Sequence, residues 1–553
     1  MLPKTQLGWW IKGSIEPKMG QSALYNALNQ VTEPVHVIAG GDQIGMARGG
    51  CFIPMEDKNE TTEIGTERFP WIASVPALHP TRLGSREFMQ TNGLNYPYVM
   101  GAMANGITSV QMVATAGDAG MLAFFGAAGL SIAQIETAIH ELKECSPHKP
   151  YGFNLIHSPS DPNLEMETAR LYMDNGIRLI SASAFMDMTL ALVYYRVKGI
   201  QKDIDGCVNP LNRIVAKISR EEVARKFLAP PPDKLIEPLV ERGWITAQEA
   251  QLASEIPMAD ALTAEADSGG HTDNRPALAL LPTIQSIRDA AALTYGYQRS
   301  VMVGLGGGIA TPESAAAAFT MGADYIVTGS INQACLEAGT SDSVRQMLCE
   351  AGQADVTMAP AADMFEMGVK VQVLKRGTMF PLRAAKLYDL YSTYDAYENI
   401  PETQRQILER DFFRRSFSEE WTHTKNFFNN CDPRQVERAR NDSKHKMALV
   451  FRSYLGQSSS WANKGEVSRK IDYQIWCGPA MGAFNQWAQG SFLQLPQHRR
   501  VVLLALNILV GAAIILRRQS LRQQGIQFRD ESASIPPRDQ DELAELLKPS
   551  FQL

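Results

Sequence analysis

Cysteine is scarce in this chain and has no pattern. The seven cysteines are scattered and odd in number, and no two are spaced as C-x-x-C, whereas disulfide frameworks and zinc sites need regular pairs. No H-E-x-x-H run or His/Cys cluster suggests another metal. The first residues also lack the apolar stretch of a secretory signal. We therefore expect reduced thiols, no metal and a cytoplasmic location.

An excess of positive charge is missing as well. The 553 residues include 53 Lys and Arg against 59 Asp and Glu, for a net charge of -6. Nucleic-acid-binding proteins usually carry a basic surplus, so nucleic acid is excluded as the main partner. At this length, a hydrophobic content of 45% instead predicts a globular chain of two to four domains.

Long apolar runs are rare, and one stretch approaches the length of a membrane span. Residues Val501 to Leu516 are apolar apart from Asn507 and are flanked by arginine pairs. A spanning helix needs about 20 residues. We interpret the stretch as a helix buried in the fold or covered by a partner, so we expect no stable membrane insertion; interfacial contact and a true span are the alternatives.

Two familiar catalytic signatures are absent. Residues Gly456 to Ser460 depart from the G-x-S-x-G nucleophile elbow at the last position, so an acyltransferase module is not supported. No strand-flanked G-x-G-x-x-G with a matching acidic residue marks a Rossmann domain. A pyridine nucleotide would therefore have to bind transiently, at the face of another cofactor.

From Tyr98 onward, apolar strands alternate with helical stretches, as is typical of parallel α/β folds. Eight strand candidates follow one another, and most gaps between them hold a helix. The candidates are Tyr98–Ala102, Gly120–Phe125, Tyr151–Ile156, Arg178–Ala182, Ile214–Ile218, Leu262–Ala266, Val301–Gly304 and Tyr325–Thr328. The predicted fold class is α/β, with a (β/α)8 TIM barrel of ordinary size.

The segments around the predicted barrel differ in pattern. Residues 1–95 are rich in turns and are predicted to form a small β-rich domain before the barrel at 96–375. An insertion at about 229–260 carries two helical stretches, interpreted as a hairpin near the barrel mouth that would act as a lid. Residues 376–529 are predicted to be an α-helical domain, and 530–553 a flexible tail.

Glycine turns close the last two predicted strands. Gly307 and Gly308 follow the seventh strand, and Gly329 and Ser330 follow the eighth. Glycine lets backbone N–H groups approach an anion closely, and successive strand-end loops of this kind form the phosphate site of many barrels. We expect these four residues to hold a phosphate, although a triple glycine taken alone is more often an ordinary turn.

Further candidates lie at the ends of the other strands, where barrel ligands bind. Their mixture suits flavin mononucleotide (FMN), with Lys217 and Asn154 at the polar edge of the isoalloxazine and Met103 against its ring. Lys217 could equally extend to solvent. The additional cofactor-binding candidates are Gly101, Ala102, Met103, Asn154, Ser183, Lys217, Asp267 and Gly270.

One imidazole follows the sixth strand. His271 ends the run Ser268-Gly269-Gly270-His271, which places it beside the same ligand as the glycine turns. An imidazole can donate or accept a proton near neutral pH, so His271 is the catalytic candidate. A histidine that only satisfies buried hydrogen bonds is the alternative.

These residues resemble the nitronate monooxygenase-like FMN barrels, whose alanine-glycine-glycine-histidine hallmark differs here at its first position only. A more specific likeness is to the PfaD family and runs from about residue 35 to about residue 525. The segments that carry it are Tyr98–Gly106, Pro150–Pro159, Glu265–Pro276, Ala359–Gly368 and Asp472–Gly482.

The resemblance implies a freestanding enoyl reductase that uses FMN and NADPH. It would act in trans on 2-enoyl thioesters carried by the acyl carrier protein domains of a polyunsaturated fatty acid or polyketide synthase. Hydride would pass from NADPH by way of FMN to the β-carbon, while His271 polarises the thioester carbonyl or directs the proton to the α-carbon. An oxygen-using nitronate monooxygenase and a non-catalytic synthase scaffold are the alternatives, and a homodimer is left open.

Two groups of basic residues are candidates for docking an acidic carrier protein. One group lies just beyond the barrel and the other along the helical domain, although a solvated helix face is the commoner explanation of such runs. The groups are Lys375, Arg376, Arg383 and Lys386, and Arg434, Arg438, Arg440, Lys444 and Lys446.

Overall fold

The computed structural model describes residues 6–55, 67–158, 162–528 and 535–548. Pro159 of the second family-like segment lies outside the described residues, as do 529–534 and 549–553, which contain the two ends of the predicted tail.

Nineteen strands are assigned within the described ranges. They are β1 (Gly8–Ile11), β2 (Lys18–Met19), β3 (Val35–Gly40), β4 (Gln43–Ala47), β5 (Cys51–Pro54), β6 (Arg68–Val75), β7 (Tyr98–Met100), β8 (Leu122–Phe125), β9 (Gly152–Ile156), β10 (Leu179–Ser183), β11 (Gln201–Lys202), β12 (Val208–Asn209), β13 (Arg213–Ile218), β14 (Ala261–Glu265), β15 (Gly270–His271), β16 (Met302–Gly306), β17 (Ile326–Thr328), β18 (Val356–Pro360) and β19 (Lys370–Leu374).

The same ranges contain twenty-one α-helices. They are α1 (Gln21–Asn29), α2 (Arg86–Asn92), α3 (Val110–Asp118), α4 (Ile132–Cys145), α5 (Pro162–Asp174), α6 (Leu190–Val197), α7 (Glu221–Leu228), α8 (Asp233–Glu241), α9 (Ala247–Ala253), α10 (Ala277–Tyr295), α11 (Pro312–Thr320), α12 (Ser330–Gln333), α13 (Asp342–Cys349), α14 (Phe380–Thr393), α15 (Glu402–Ile407), α16 (Phe417–Cys431), α17 (Pro433–Ala439), α18 (Ser443–Lys464), α19 (Ala480–Ala488), α20 (Val501–Gln523) and α21 (Gln540–Leu547).

Eight parallel strands close into a barrel in the order β7, β8, β9, β10, β13, β14, β16 and β17. Pairing of Ile326 with Tyr98 joins the last strand to the first. These are the eight predicted strands, and their bounds differ from the prediction by two residues at most. The predicted TIM barrel is therefore confirmed.

Helix α2 closes the N-terminal end of the barrel. Phe88 on this helix stacks on Tyr325, with ring centroids 4.0 Å apart. Both are buried together with Val99 of β7 and Val215 of β13. Because this end is plugged by apolar side chains, a ligand must enter from the carboxyl ends of the strands.

A six-stranded antiparallel sheet precedes the barrel, in the order β2, β4, β3, β6, β1 and β5. Trp10 is fully buried in it beside Ile38 and Ala47. This sheet accounts for the β-rich pattern that the sequence shows before Tyr98.

The inserted hairpin exists, as α8 and α9, but its predicted position at the barrel mouth is wrong. Glu249 on α9 accepts a hydrogen bond of 2.7 Å from the backbone N–H of Gly199, which follows α6. Trp244 packs on Tyr194 of the same helix, with ring centroids 5.4 Å apart. Since the hairpin leads directly into the N-terminal end of β14, it lies away from the carboxyl ends of the strands and cannot act as a lid there.

The region after the barrel is largely helical, with one addition that strand patterning missed. Strands β18 and β19 pair antiparallel, and β15 adds to the free edge of β19. The two strands are five residues each, and Pro360 ends the first. Such short segments carry little periodic signal, yet this small sheet lies directly against the end of the barrel.

Helix α20 contains the apolar stretch of the sequence. It is long and apolar enough to cross a membrane by length and composition alone, but 67% of its most apolar window is buried inside the fold. Gly511 approaches Pro312 of α11 so closely that a Cβ at Gly511 would lie 2.6 Å from the proline ring. The interpretation as a buried core helix therefore agrees with the structure.

The predicted flexible tail is wrong for residues 535–548. Leu543 and Leu546 of α21 are buried against α20, and Asn507 donates a hydrogen bond of 2.9 Å to the carbonyl of Arg538. The charge of this segment suggested mobility, but its leucines recur on one helix face and find an apolar partner in α20.

Arg517 of α20 is 1% exposed and clamps the N-terminal region to the rest of the chain. Its guanidinium donates to four backbone carbonyls, those of Leu28, Gln30, Glu33 and Pro76. Burial lowers the pKa of Arg517 to about 10. The planar fork suits this task, since it supplies several donors in one rigid group.

We expect Arg517→Met to lower the free energy of unfolding by about 2–4 kcal/mol, because buried carbonyls would lose their donor. Thermal and urea unfolding would measure the change. Arg225→Met is the control, since its side chain is 62% exposed and its partner Glu221 is exposed as well, so its loss should cost less than about 0.5 kcal/mol. Equal changes in the free energy of unfolding in both variants would show that the hydrogen bonds of Arg517 do not stabilise the fold.

Candidate active site

The loops after β16 and β17 form an open cradle at the carboxyl end of the barrel. Gly307 and Gly308 both have positive φ, at 82° and 77°. A Cβ at Gly307 would lie 2.6 Å from the carbonyl of Ala266, so only glycine fits there. At Gly308 and Gly329, a Cβ would meet no atom within 4 Å, which leaves space above the backbone for a ligand.

The loop after β7 lies beside this cradle. Gly101 donates from its backbone N–H to the carbonyl of Thr328 at 2.9 Å, next to Gly329. Thr108 holds the loop from the other side, because its hydroxyl donates to the carbonyl of Gly101 and accepts from the N–H of Met103. The structure thus brings the predicted Gly101, Ala102 and Met103 together with the glycine turns.

Asn154 and Ser183 are neighbours at the ends of β9 and β10. The side-chain amide of Asn154 donates to the carbonyl of Ser181 at 2.9 Å and to the hydroxyl of Ser183 at 3.0 Å. Asn154 is 6% exposed, and both its N–H donors are used within the barrel. Its amide oxygen remains as the group that can meet a ligand.

A second imidazole stands on the rim beside these residues. His157 follows β9, and its Nδ1 lies 3.0 Å from Oε2 of the buried Glu165. The same carboxylate accepts from the hydroxyl of Thr189. His157 belongs to the family-like segment Pro150–Pro159, but no role was predicted for it. Its contact with Glu165 fixes the loop after β9.

Lys217 does not simply extend to solvent, since it forms an ion pair between the neighbouring strands β13 and β14. Its Nζ lies 2.8 Å from Oε1 of Glu265, and the hydroxyl of Ser268 donates to the same oxygen at 3.0 Å. Glu265 was missing from the predicted site. Alternation along β14 could have found it, because Thr263 and Glu265 lie on the same side of the strand.

Asp267 is occupied by bonds that hold its own loop. Its Oδ1 accepts from the side-chain amides of Asn274 at 2.7 Å and Gln372 at 2.8 Å. Gln372 also donates to the carbonyl of Ser268 at 2.8 Å and is 6% exposed. Asp267 therefore positions the loop in this structure, and its direct contact with a cofactor stays a prediction.

His271 stands one step outside the ring of strand ends. It belongs to β15, which pairs with β19 through Val371, and its side chain is 39% exposed. Its Nε2 lies 3.2 Å from Oδ1 of Asp363. Burial opposes ionisation of Asp363, but the hydrogen bond and charge of His271 outweigh it, and the pKa of Asp363 is lowered.

Asp363 was also missing from the predicted site. It lies 92 residues beyond His271 in the chain, within the family-like segment Ala359–Gly368. A carboxylate at this distance fixes the orientation of the imidazole through its Nε2. The pair is a histidine with a charged partner at the barrel mouth, a combination suited to proton transfer.

The segment Asp472–Gly482 completes the site from the far end of the sequence. The backbone N–H of Gly478 donates to the hydroxyl of Ser330 at 3.1 Å. A Cβ at Gly269 would lie 2.9 Å from the nitrogen of Cys477, so the two backbones touch. This contact leaves no space for a Cβ at Gly269 or Gly478, and the hydrogen bond fixes Ser330 at the start of α12.

Described as a whole, the carboxyl end of the barrel gathers the predicted cofactor residues in adjacent groups. The glycine turns meet the loop after β7, Asn154 meets Ser183, and Lys217 faces Glu265. His271 and Gly270 lie beyond the end of β14, because β15 is drawn toward β19. This arrangement can bind an anionic group, a polar flat ring and a reactive carbonyl at one opening.

Two family models match the chain. The model described as nitronate monooxygenase matches residues 86–389, and the one described as acyl-carrier-protein S-malonyltransferase, inserted helical domain, matches residues 394–473. The chain belongs to the nitronate monooxygenase family. The second match was not foreseen from the sequence.

One solved structure is similar to the chain in both sequence and fold. The chain is 40% identical to the enoyl reductase domain of MlnA from the macrolactin cluster of Bacillus amyloliquefaciens, covering 80% of this chain and 99% of that one with a TM-score of 0.77.

Curated relatives point the same way. A polyunsaturated fatty acid synthase subunit from Thraustochytrium sp. is 46% identical over 80% of this chain and 30% of its own length. The polyketide biosynthesis protein PksE of Bacillus subtilis is 44% identical over 80% of this chain and 58% of its own length. This chain thus spans between about a third and somewhat over half of these relatives. The predicted PfaD likeness is confirmed.

Asp273 anchors the loop that carries His271. Its carboxylate accepts two hydrogen bonds of 2.9 Å from Arg220 and one of 2.6 Å from the hydroxyl of Ser219. The bonds from Arg220, aided by Ser219, outweigh burial and lower the pKa of Asp273 to about 2. This ties the loop after β14 to the end of β13.

Asp273→Asn should therefore lower the free energy of unfolding by about 1–2 kcal/mol near neutral pH, less than the full shift because the pair is partly exposed. Since the folded pKa is depressed, the stabilisation is complete above the ordinary value of 3.8 and is lost as the pH falls toward 2. Urea unfolding from pH 7 to pH 3 would measure it. If the difference in free energy of unfolding between the parent protein and Asp273→Asn stays constant or grows as the pH falls, the assignment is contradicted.

Proposed function

We propose that the protein is an FMN- and NADPH-dependent enoyl reductase. It acts in trans on 2-enoyl chains attached to acyl carrier protein in polyunsaturated fatty acid or polyketide synthesis. The observation that supports it most is the meeting, at one barrel opening, of the glycine cradle with the His271–Asp363 pair. The similarity to an enoyl reductase domain over 99% of that domain supports the same reaction.

FMN fits the residues at this opening. The backbone of Gly307, Gly308 and Gly329 would hold the phosphate, and the hydroxyl of Ser330, which accepts from Gly478, keeps its own proton to donate. Lys217 and the amide oxygen of Asn154 would meet the polar edge of the ring. When bound, FMN supplies a reducible ring that accepts hydride from NADPH and delivers it to the enoyl β-carbon.

His271 would act on the other end of the enoyl thioester. Its partial exposure lets a thioester carbonyl reach the imidazole, while Asp363 holds Nε2 and orients the ring. A proton held there would polarise the carbonyl as charge develops on its oxygen, or would be directed to the α-carbon. Asp363 is a positioning residue in this scheme.

The partners follow from the chemistry and from the relatives. The named relatives are a fatty acid synthase subunit and a polyketide biosynthesis protein, which supports a substrate that is carried as a thioester. The match of residues 394–473 to the helical insert of an acyl-carrier-protein transferase supports a carrier protein as its bearer. We place the reaction in the cytoplasm, where NADPH and such carriers occur together.

The family description favours a second candidate, an oxygen-using nitronate monooxygenase. The two reactions differ in their final acceptor. An enoyl thioester that drives NADPH oxidation without oxygen supports the reductase, whereas turnover that needs oxygen and a nitronate supports the monooxygenase.

The deciding experiment follows the flavin absorbance of the purified protein under anaerobic conditions. NADPH should bleach the absorbance and a crotonyl thioester should restore it, with loss of the enoyl double bond. A protein that is colourless and takes up no added FMN would overturn the proposal and favour a scaffold. Failure of the thioester to restore the colour would overturn the enoyl reductase assignment.

Gly308→Ala should weaken FMN binding by at least about tenfold, because the new methyl group would enter the space that the phosphate needs. Gly176→Ala is a matched control, since Gly176 also has positive φ, at 73°, and no atom within 4 Å of its Cβ position. Both changes carry a similar backbone strain. Fluorescence titration with FMN measures the effect, and equal FMN affinity in the two variants would contradict the phosphate assignment.

His271→Ala should keep bound FMN and its reduction by NADPH, yet lose enoyl reduction by about 10²- to 10⁴-fold.

Asp363→Asn should lower kcat for the thioester by about tenfold and change its pH profile, since the imidazole loses its charged partner. His148→Ala, which alters an exposed loop histidine, serves as control. Stopped-flow measurement of the two half-reactions separates the outcomes, and unchanged thioester turnover in His271→Ala would exclude its role.

A further inference from the structure

Three segments of the helical region meet in one surface that is both basic and apolar. They are the start of α14, residues 410–414 and residues 467–472. We call this surface the arginine face and define it by Met379, Leu382, Arg383, Lys386, Arg414, Val467, Lys470 and Ile471.

Direct hydrogen bonds hold the segments of the arginine face together. The backbone N–H of Met379 donates to the carbonyl of Ile471 at 2.7 Å. The guanidinium of Arg414 donates to the carbonyl of Ser468 at 2.7 Å, and that of Arg383 donates to the carbonyl of Asp411 at 3.0 Å. The residues therefore form one continuous surface.

The charge of this face is unbalanced. Asp472 is fully buried and is shared by three arginines: it bonds Arg383, lies 3.2 Å from Arg469 and lies 3.6 Å from Arg414. Three guanidinium groups face this single buried carboxylate. Two further acids lie nearby, Asp411, which pairs with Arg410 at 2.7 Å, and Glu466, so the arginines outnumber the acids around them and the cluster keeps an excess of positive charge. The buried carboxylate of Asp472 holds the three arginines in place.

Two lysines add to this charge at the surface. Lys386 and Lys470 are both exposed, and Lys386 bonds the neutral amide of Gln404. Within the described ranges, neither lysine forms an ion pair. The chain as a whole carries a net charge of -6, so its overall charge does not attract an acidic partner, whereas this local group of cations does.

Apolar side chains lie among these charges. Leu382 is 65% exposed and Val467 is 84% exposed, and Met379 and Ile471 are also exposed. Exposed apolar residues within a ring of one charge are typical of surfaces that bind another protein. A surface that contacts only solvent would gain nothing from these exposed apolar side chains.

The second predicted docking group does not offer such a surface. Arg438 pairs with Asp442 at 3.2 Å and Arg440 with Glu437 at 2.7 Å, while Lys446 lies over aromatic rings, among them that of Trp421. Because its own neighbours neutralise this stripe, the prediction that it docks a carrier is not supported. Of the first group, Arg383 and Lys386 belong to the arginine face.

The arginine face is connected to the active site by a short segment. Asp472 begins it beneath the face, and Cys477 and Gly478 end it against Gly269 and Ser330. Five residue steps span about 17 Å at full extension. An arm that carries a thioester from the face to the barrel mouth has to cross a distance of this order.

We propose that the arginine face docks an acidic acyl carrier protein domain, which then presents its thioester to the barrel mouth. The identity of the partner rests on the proposed function, while the position of the surface rests on charge and exposure. Arg414 is 38% exposed and is held by Asp472 and the carbonyl of Ser468, so it can bind a carboxylate of the carrier without first losing rotamer freedom. Arg383 and Arg469 are mostly buried and contribute positive charge beneath the surface. The leucine, valine and methionine side chains supply the apolar centre of the contact.

The test measures binding directly, so that it does not depend on turnover. Lys386→Glu/Lys470→Glu should weaken binding of a fluorescent holo-acyl carrier protein at least about tenfold by anisotropy and flatten its salt dependence. Lys143→Glu/Lys425→Glu is the matched control, since both lysines are exposed and lie outside the face. Lys143 bonds the neutral amide of Asn175, as Lys386 bonds that of Gln404. Leu382→Asp probes the apolar centre and should also weaken binding.

Turnover separates docking from the proposed chemistry. The double variant should raise KM for an enoyl-carrier substrate and leave reduction of a small enoyl thioester, such as a crotonyl-pantetheine, within about twofold of the parent. Equal carrier binding by the face variant and the control variant would overturn the docking proposal. If the parent protein does not reduce the small thioester, the enoyl reductase assignment is overturned, whatever the binding result.

Discussion

The opening of the barrel depends on one buried amide. Gln372 of β19 donates to Asp267 and to the carbonyl of Ser268, and so ties the loop that carries His271 to a strand about a hundred residues further along the chain. Two hydrogen bonds from a group that is almost fully buried are hard to replace with water. Strand β15 forms only because β19 is held there, and the position of His271 beside Asp363 follows from that pairing.

The region beyond the barrel contributes more than a cover. Segment Asp472–Gly482 touches the cradle through Gly478 and reaches back to the arginine face through Asp472. Helix α20 packs against α11 of the barrel, and Arg517 links it to α1 and to the loops that follow α1 and β6. The part that binds the proposed cofactor and the part that would receive the carrier are therefore joined by continuous backbone contacts, which fixes the distance that the substrate must cross.

Local pattern was enough to predict the eight barrel strands, because each is an apolar run bounded by turns and followed by a helix. The same kind of pattern gave the helices of the insertion, but not their place, since Glu249 and Trp244 find their partners on α6. Residues 535–548 were predicted to be mobile from their charge, although Leu543 and Leu546 pack on α20. Glu265, Asp363 and Gln372 were missed because a carboxylate or amide has no local signature.

The sequence by itself determined the barrel, its strand order and the glycine turns, together with His271 as the residue of interest. Strand periodicity and positive φ at glycine are properties of a few neighbouring residues, so they can be read without knowing the fold. Only the tertiary structure decided which acids meet Lys217 and His271, and which basic residues keep an uncompensated charge. Electrostatic interactions depend on distances between groups far apart in the chain, and those distances exist only once the chain has folded.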